Sequence, residues 1–323
     1  MWIRLENEAD ASVVAAQLQG MGLWTRALED DQGETTGFAV EPFSTAIDWE
    51  RLRQVEGVAE VQRPRSAHPR VDAQSGQPVE VGDVVFAVGG QPLLMAGPCA
   101  IESAEQVNAI AASVAAAGAS ILRGGAFKPR SSPYSFSGHG AEALGWMRKA
   151  ADRHGLAVVT EVMSEAEVEL VSAHADMLQI GSRNMQNFAL LRAVGAMGKP
   201  ILLKRGMAAT VEEWLLAGEH LLAAGAAGVV FCERGISGFD PHTRNLLDLG
   251  AVALLTSVHR LPVVVDPSHA VGRRDLIPAL AKAALAAGAS GLMIEAHGDP
   301  STALSDGAQA LSPDALYELG FKR

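Results

Sequence analysis

The sequence predicts an α/β chain: a closed barrel of eight strand–helix pairs preceded by a small α+β domain. Three observations lead there. From about residue 80 onward, short apolar runs alternate with Ala-rich helical stretches. Nearly every run ends on a polar or charged residue. Residues 1–63 order as strand, helix, strand, strand, helix, strand, the split βαβ arrangement of ferredoxin-like domains.

The N-terminal elements follow from local signals. WIRL reads as a short strand and ASVVAAQLQGMG as an amphipathic helix closed by Gly22. LWTRALED and TTGFAVE are strands around the turn DQGE; TAIDWERLRQVEGV is a helix and AEVQR a last strand. Residues 64–79, rich in Pro, Ser and Arg, read as a linker. The catalytic unit is expected over 80–323, opening with a β-hairpin turned at Gly82-Asp83.

The eight apolar runs are PLLMAGPC, SILRGG, LAVVTEV, MLQIGSR, PILLKRG, GVVFCERG, PVVVDPSHA and GLMIEAHG. Between them lie helical stretches such as AEQVNAIAASVAAAG and DLIPALAKAALAAGA. Eight strands with crossover helices in about 240 residues indicate a TIM (β/α)8 barrel. A doubly wound open sheet, which usually has fewer strands, is the weaker alternative. The runs end at Cys99, Arg123, Glu161, Arg183, Lys204, Arg234, His269 and Glu295. In a barrel those ends share one mouth, where active sites sit.

Composition narrows the chemistry. A formal net charge of −11 excludes a general nucleic-acid binder. The cations Arg123, Lys128 and Arg130 therefore stand out and point to a small anionic ligand. Two cysteines, Cys99 and Cys232, exclude a disulfide framework and fit a reducing compartment. No apolar run reaches the roughly 20 residues of a membrane helix, and the N-terminus shows no signal peptide, so a cytoplasmic protein without membrane partners is expected.

Cys99, His269, Glu295 and Asp306 have the chemistry of a divalent-metal site. Thiolate, imidazole and carboxylate together suit Mn, Fe, Co or Zn and disfavour Mg or Ca. Asp266 and His297 are candidates to orient those ligands. Cys232, mid-strand, reads as an inert core thiol, and His139, His154 and His174 as ordinary helix or loop histidines. Arg123, Lys128, Arg130, Arg183, Lys204 and Arg234 are too many cations for one phosphate. They fit two phosphorylated substrates, or a phosphate and a carboxylate. Ser131 can add a hydroxyl.

The motifs GPCAIES, LRGGAFKPRSSPYSF, TEVM, QIGSRNMQN, LLKRG, CERG, DPSHA and GLMIEAHGDP followed by SD span about 95–307. Over this stretch the chain resembles the 3-deoxy-D-arabino-heptulosonate 7-phosphate (DAHP) synthases. The match is to the subgroup related to 3-deoxy-octulosonate 8-phosphate (KDO8P) synthase. Residues 1–63 resemble, in topology, the ferredoxin-like regulatory domain that some members carry.

The resemblance implies a transferase of the shikimate pathway of aromatic amino acid biosynthesis. It would condense phosphoenolpyruvate (PEP) with erythrose 4-phosphate, with one divalent metal ion per subunit. Cys99, His269, Glu295 and Asp306 match the metal ligands. Arg123, Lys128, Arg183, Lys204 and Arg234 match the PEP-binding residues. Lys128, Pro129, Arg130 and Ser131 match those that hold erythrose 4-phosphate. KDO8P synthases carry Asn where this chain has Pro129, which favours the four-carbon aldose. Lys128 and Arg123 fall beside the reacting centre. Lys128 is the candidate proton donor, and Glu161 a candidate for positioning water. An aromatic amino acid effector at the N-terminal domain and a homotetramer are further expectations. KDO8P synthase is the near alternative, and a Schiff-base aldolase using Lys204 the mechanistically distinct one.

Overall fold

The computed structural model describes every residue except 64, 129–133, 135, 322 and 323. The chain divides into two compact units, Met1–Ala67 and His68–Arg323.

The first unit runs β1 (Trp2–Leu5), α1 (Ala11–Gly20), β2 (Thr25–Glu29), β3 (Thr35–Val40), α2 (Trp49–Arg53) and β4 (Val58–Gln62). Its sheet order is β2-β3-β1-β4, with β1 antiparallel to both neighbours. That is the ferredoxin-like topology expected from the element order. Asp10 caps α1, its carboxylate accepting the backbone N–H groups of Ser12 and Val13. Ile3, Leu5, Val14, Leu18, Phe38 and Leu52 form the core between helices and sheet. The second helix is shorter than TAIDWERLRQVEGV predicts. Asp48 caps it at its start, and the chain turns at Gly57 with φ +87° into β4.

In the second unit eight parallel strands close into a ring. They are β7 (Leu93–Gly97), β8 (Ile121–Arg123), β9 (Ala157–Glu161), β10 (Met177–Ile180), β11 (Pro200–Lys204), β12 (Gly228–Glu233), β13 (Val263–Val265) and β14 (Gly291–Glu295). The ring closes where β14 pairs with β7 and β9 with β10. The helices of this unit include α4 (Ala104–Ala116), α5 (Ala141–His154), α6 (Val168–His174), α7 (Phe188–Gly195), α8 (Val211–Ala224), α9 (Leu249–Ala253), α10 (Pro267–Val271) and α11 (Ile277–Ala286) between strands, and α12 (Pro313–Tyr317) after the last. This is the TIM barrel that the spacing of apolar runs predicts.

Side-chain alternation divides each strand between two cores. Met95, Ile121, Val159, Met177, Leu202, Val230, Cys232, Val264 and Met293 pack together in one, inside the ring. Their neighbours, such as Leu94, Leu122, Val158, Leu203, Phe231 and Ile294, pack outward among the helices. The expected hairpin is present as β5 (Val79–Val81) and β6 (Val84–Phe86). Its Val79, Val81 and Phe86 join the interior layer, with Val79 against Gly228 at the start of β12. The hairpin thus plugs the end of the barrel opposite the mouth.

The composition of 64–79 predicts a linker, but residues 69–73 fold as helix α3 (Pro69–Ala73) against the barrel. Glu219 of α8 accepts the backbone N–H groups of Arg70 and Val71 at 2.8 and 3.0 Å. The Gln74 amide satisfies both backbone groups of Val229 at 2.8 Å. Val71 is buried. With its polar groups paired and an apolar side chain in the core, this segment is part of the barrel unit. Among the described residues no helix is long and apolar enough to cross a membrane.

Candidate active site at the mouth of the barrel

The side chains that end the strands converge, though not all of them lie on strands. Arg123, Glu161, Lys204 and Glu295 are terminal strand residues. Cys99 lies two residues beyond β7, Arg183 in a 3-10 turn after β10, Arg234 directly after β12, and His269 in helix α10. Strand pairing stops where loops must diverge toward their helices, so a site residue can fall a few positions past the last paired one.

Helix α10 shows how local sequence aims a ligand. In DPSH, Pro267 occupies the first helical turn and Asp266 caps it, Oδ1 accepting the His269 backbone N–H at 3.0 Å. The imidazole is thereby projected into the mouth, with Nδ1 at 2.7 Å from Asp266 Oδ2 and Nε2 at 3.1 Å from Glu295 Oε1.

Ligand atoms of Cys99, His269, Glu295 and Asp306 all lie within 4.8 Å of one another. Cys99 Sγ is 3.0 Å from Asp306 Oδ2. These separations suit atoms that share one ion. Two of the candidate ligands are also held from behind. His269 Nδ1 is engaged by Asp266, as the sequence suggests. Glu295 Oε2 accepts from Gln309 Nε2 at 2.6 Å, and the Glu295 backbone N–H donates to Ser268 Oγ at 3.1 Å. Such support is what metal ligands ordinarily have. The four residues could therefore hold a divalent ion of the Mn, Fe, Co or Zn type. His297 is placed differently from the expectation. Its Nε2 lies 3.5 Å from Glu102 Oε2 and its Nδ1 accepts the Asp299 N–H, with no hydrogen bond to a candidate ligand among the described residues.

Electrostatics follow from burial and pairing. Burial alone would lower the His269 pKa, but the carboxylates of Asp266 and Glu295 outweigh it and raise it to about 10. Burial would raise Glu295 and Asp266, yet the His269 imidazolium holds both below the usual carboxylate range, with Arg123 also acting on Glu295 and Lys204 on Asp266. Burial pushes the Cys232 thiol up to about 12, in keeping with an inert core cysteine.

A cavity opens beside these ligands, lined by Arg123, Lys128, Glu161, Arg183, Lys204 and Arg234. Arg123 Nη1 donates to Pro98 O at 2.7 Å and to Glu295 Oε1 at 3.2 Å, and its buried Nε has no hydrogen-bond partner among the described residues. Lys128 Nζ is 2.9 Å from both the Sγ and the carbonyl oxygen of Cys99. Lys204 Nζ pairs with Asp266 Oδ2 at 2.6 Å. That pairing commits its amine and disfavours the Schiff-base alternative. Glu161 accepts from Gln179 at 3.3 Å. Pro129, Arg130 and Ser131 lie outside the described residues.

Sequence reasoning missed four participants: Gln179, Arg205, Arg244 and Gln309. Gln179 and Arg244 line the cavity, and Gln309 fixes Glu295. Arg205 sits one residue past the noted Lys204. Buried, it binds Glu233 Oε2 at 3.1 Å and Asp248 Oδ2 at 2.8 Å, tying the loops after β11 and β12 together. The pair of basic residues in LLKRG was its only sequence signal.

The model for the DAHP synthetase I family matches residues 71–321. Phospho-2-dehydro-3-deoxyheptonate aldolase of Thermotoga maritima is 43% identical over 277 residues, covering 86% of this chain and 82% of that protein. The 2-dehydro-3-deoxyphosphooctonate aldolase of Acidithiobacillus ferrooxidans is 35% identical over 240 residues, 67% of this chain and 83% of that one. The solved structure of DAHP synthase from Thermotoga maritima superimposes with a TM-score of 0.77 at 36% identity, covering 98% of this chain and 94% of the other. A truncated form of the synthase from the same organism covers 76% of this chain and 89% of its own, with a TM-score of 0.70 and 42% identity. A barrel whose cation-lined mouth adjoins a Cys–His–Glu–Asp cluster, matched at these levels over most of its length, places this chain in the DAHP synthetase I family.

Proposed function

We propose that the barrel catalyses the metal-dependent condensation of PEP with erythrose 4-phosphate, giving DAHP and inorganic phosphate. C3 of PEP bonds to the aldehyde carbon, water adds at C2 of PEP, and the C2–O bond to phosphate breaks. The observation that carries this reading is the convergence of four metal-ligand side chains within 4.8 Å beside a cavity lined by cations. Cys99, His269, Glu295 and Asp306 would hold the ion, which would supply Lewis acidity toward the aldehyde carbonyl.

The chain's own residues divide the remaining work. Arg123, Arg183, Lys204 and Arg234 hold the PEP carboxylate and phosphate; the unpartnered Nε of buried Arg123 is suited to such an anion. Lys128 gives a proton to the nascent hydroxyl, a role that its Nζ 2.9 Å from Cys99 Sγ supports. Arg130 and Ser131 take the erythrose phosphate, with Pro129 selecting the four-carbon aldose. Glu161 positions water. The subunits form a homotetramer, and residues 1–63 bind an aromatic amino acid that feeds back on the barrel.

The test is a phosphate-release assay with PEP and erythrose 4-phosphate, with and without chelator. Release that needs both substrates and stops with EDTA is expected. Turnover of arabinose 5-phosphate in preference to erythrose 4-phosphate would transfer the chain to the KDO8P side, where the 35%-identical relative stands.

A further inference from the structure

Arg244 is an additional cation at the mouth. It comes from the irregular chain between β12 and α9, and it lines the same cavity as Arg183 and Arg234. Its backbone is fixed. The Arg244 N–H donates to Val271 O at 3.0 Å and the Asn245 N–H to Ala270 O at 2.8 Å. The Asn245 side chain donates to His269 O at 3.2 Å, and Ile236 and Leu246 bridge the base of the loop by two backbone hydrogen bonds of 2.9 Å. The root of Arg244 is therefore stitched to the helix that carries His269. Its guanidinium is held only by long contacts. It meets Gln309 Oε1 at 3.4 Å and Asp306 Oδ1 only at 3.7 Å, and the side chain is 44% exposed.

The charge pattern of the mouth gives this looseness a direction. Arg123 is matched by Glu295 and Lys204 by Asp266. Among the described residues no carboxylate oxygen lies within 4.0 Å of a nitrogen of Arg183 or Arg234. Arg244 adds a third weakly matched guanidinium on the same side, and its proximity lowers the Arg234 pKa alongside burial. Arranging like charges around an open cavity is unfavourable unless an anion joins them. The ring order locates that anion. Arg183, Lys204 and Arg234 follow β10, β11 and β12, and Arg244 follows β12 too, whereas Lys128 follows β8, two strands from β10 and four from β12 round the ring.

We propose that Arg244 binds the phosphate group of PEP, and the inorganic phosphate it becomes, completing a three-arginine cradle with Arg183 and Arg234. The proposal rests on the PEP-condensing reading of the site. A guanidinium offers phosphate a two-pronged hydrogen bond that an ammonium cannot, so the lysine variant recovers only part of the effect.

The experiment compares wild type with Arg244→Gln and Arg244→Lys as full-length, metal-loaded protein. Binding of PEP and of inorganic phosphate is read by calorimetry, KM for each substrate by steady-state kinetics, and metal affinity by chelator competition. The expected result for Arg244→Gln is a rise of about tenfold or more in both the PEP and the phosphate Kd, the scale of one lost charged hydrogen bond. Arg244→Lys falls between. Metal affinity and KM for erythrose 4-phosphate stay within about twofold, below the threshold of such a loss. Unchanged PEP and phosphate binding overturns the proposal. So does a loss of metal affinity matching the loss of PEP binding, which assigns Arg244 to holding Asp306, or an effect on erythrose 4-phosphate alone. A wild type that binds PEP and phosphate yet makes no DAHP defeats the functional reading while leaving the binding test intact.

Discussion

Asp266 grips His269 at two points, through the backbone N–H at 3.0 Å and through Nδ1 at 2.7 Å, while the same Oδ2 takes Lys204 at 2.6 Å. One carboxylate thus aligns a candidate metal ligand and a candidate PEP cation. The first prediction is that Asp266→Asn weakens metal binding by about 10- to 100-fold, the usual cost of losing such a supporting group. It should also raise KM for PEP, because Lys204 loses its counter-charge. Chelator competition and steady-state kinetics check the two arms. An effect on metal alone would mean that Lys204 keeps its place without Asp266.

The His269–Glu295 pair predicts a pH optimum for the stability of the chelated protein. A histidine raised from 6.5 to about 10 stabilises the fold fully below pH 6.5 and loses that contribution as pH rises through about 10. Glu295, held below its ordinary 4.5, contributes fully above that value and loses its part in stronger acid. Both contributions are complete only between about pH 4.5 and 6.5. Urea unfolding of EDTA-treated protein should therefore show greater stability at pH 6 than at pH 9. In His269→Gln the difference between these two pH values should shrink.

The two cysteines should behave differently toward a thiol reagent. Burial inside the barrel pushes Cys232 up to about 12, so it carries almost no thiolate at neutral pH. Cys99 is buried too, but it lies among the candidate metal ligands beside the mouth, with the Lys128 amine 2.9 Å from its sulfur. In folded, chelated protein a single cysteine should be labelled. Cys99→Ser should abolish labelling, and a saturating divalent ion should slow it by at least about tenfold, because the coordinated sulfur is withdrawn from attack. Labelling at Cys232 in the native state would contradict its interior placement.

Arg205 and Glu233 predict a coupled loss of stability and PEP binding. Glu233 Oε1 accepts the Gly235 N–H at 2.7 Å while Oε2 accepts from Arg205, so the buried pair braces Arg234 between two fixed residues. Truncating one member of a buried pair costs about 3–5 kcal/mol. Arg205→Ala should lower the melting temperature and raise KM for PEP, while KM for erythrose 4-phosphate changes little. A variant that melts lower with normal PEP affinity would show that the brace serves the fold alone.

The sequence carried the barrel because strands buried on both faces read as apolar runs, and a closed ring spaces them regularly. It carried Cys99, His269 and Glu295 because thiol, imidazole and carboxylate close apolar runs, whereas Asp306, on the loop after β14, was legible only by its ligand chemistry alongside theirs. Arg244 was not legible: ISGFDPHTRNLLD has neither a strand nor a helix period, and only the backbone bonds from residues 244 and 245 to Val271 and Ala270 put it at the mouth. Gln309 was missed for a related reason, since an amide acting through Glu295 has no chemical signature of its own. The α3 segment reads as linker because its order comes from Glu219 and Val229, roughly 150 residues further on. Long-range pairing of that kind leaves no local pattern.

Glu161 can be tested through its neighbour. Gly181 has an ordinary backbone conformation, but a Cβ there would collide with Glu161 Oε1. Gly181→Ala therefore moves the Glu161 carboxylate with little strain on the main chain, because the obstructing atom is the end of a flexible side chain. It also breaks the 3.3 Å hydrogen bond from Gln179 that now aims the carboxylate. If Glu161 positions the water that adds at C2 of PEP, kcat should fall about 10²-fold or more, the scale of a displaced proton-handling group, while KM for both substrates changes little. Glu161→Gln should give a similar kcat, and combining it with Gly181→Ala should add almost nothing, since both changes act on one carboxylate. A fall in PEP affinity instead of kcat would make Gly181→Ala an obstruction of the neighbouring Arg183 turn and remove Glu161 from the reaction.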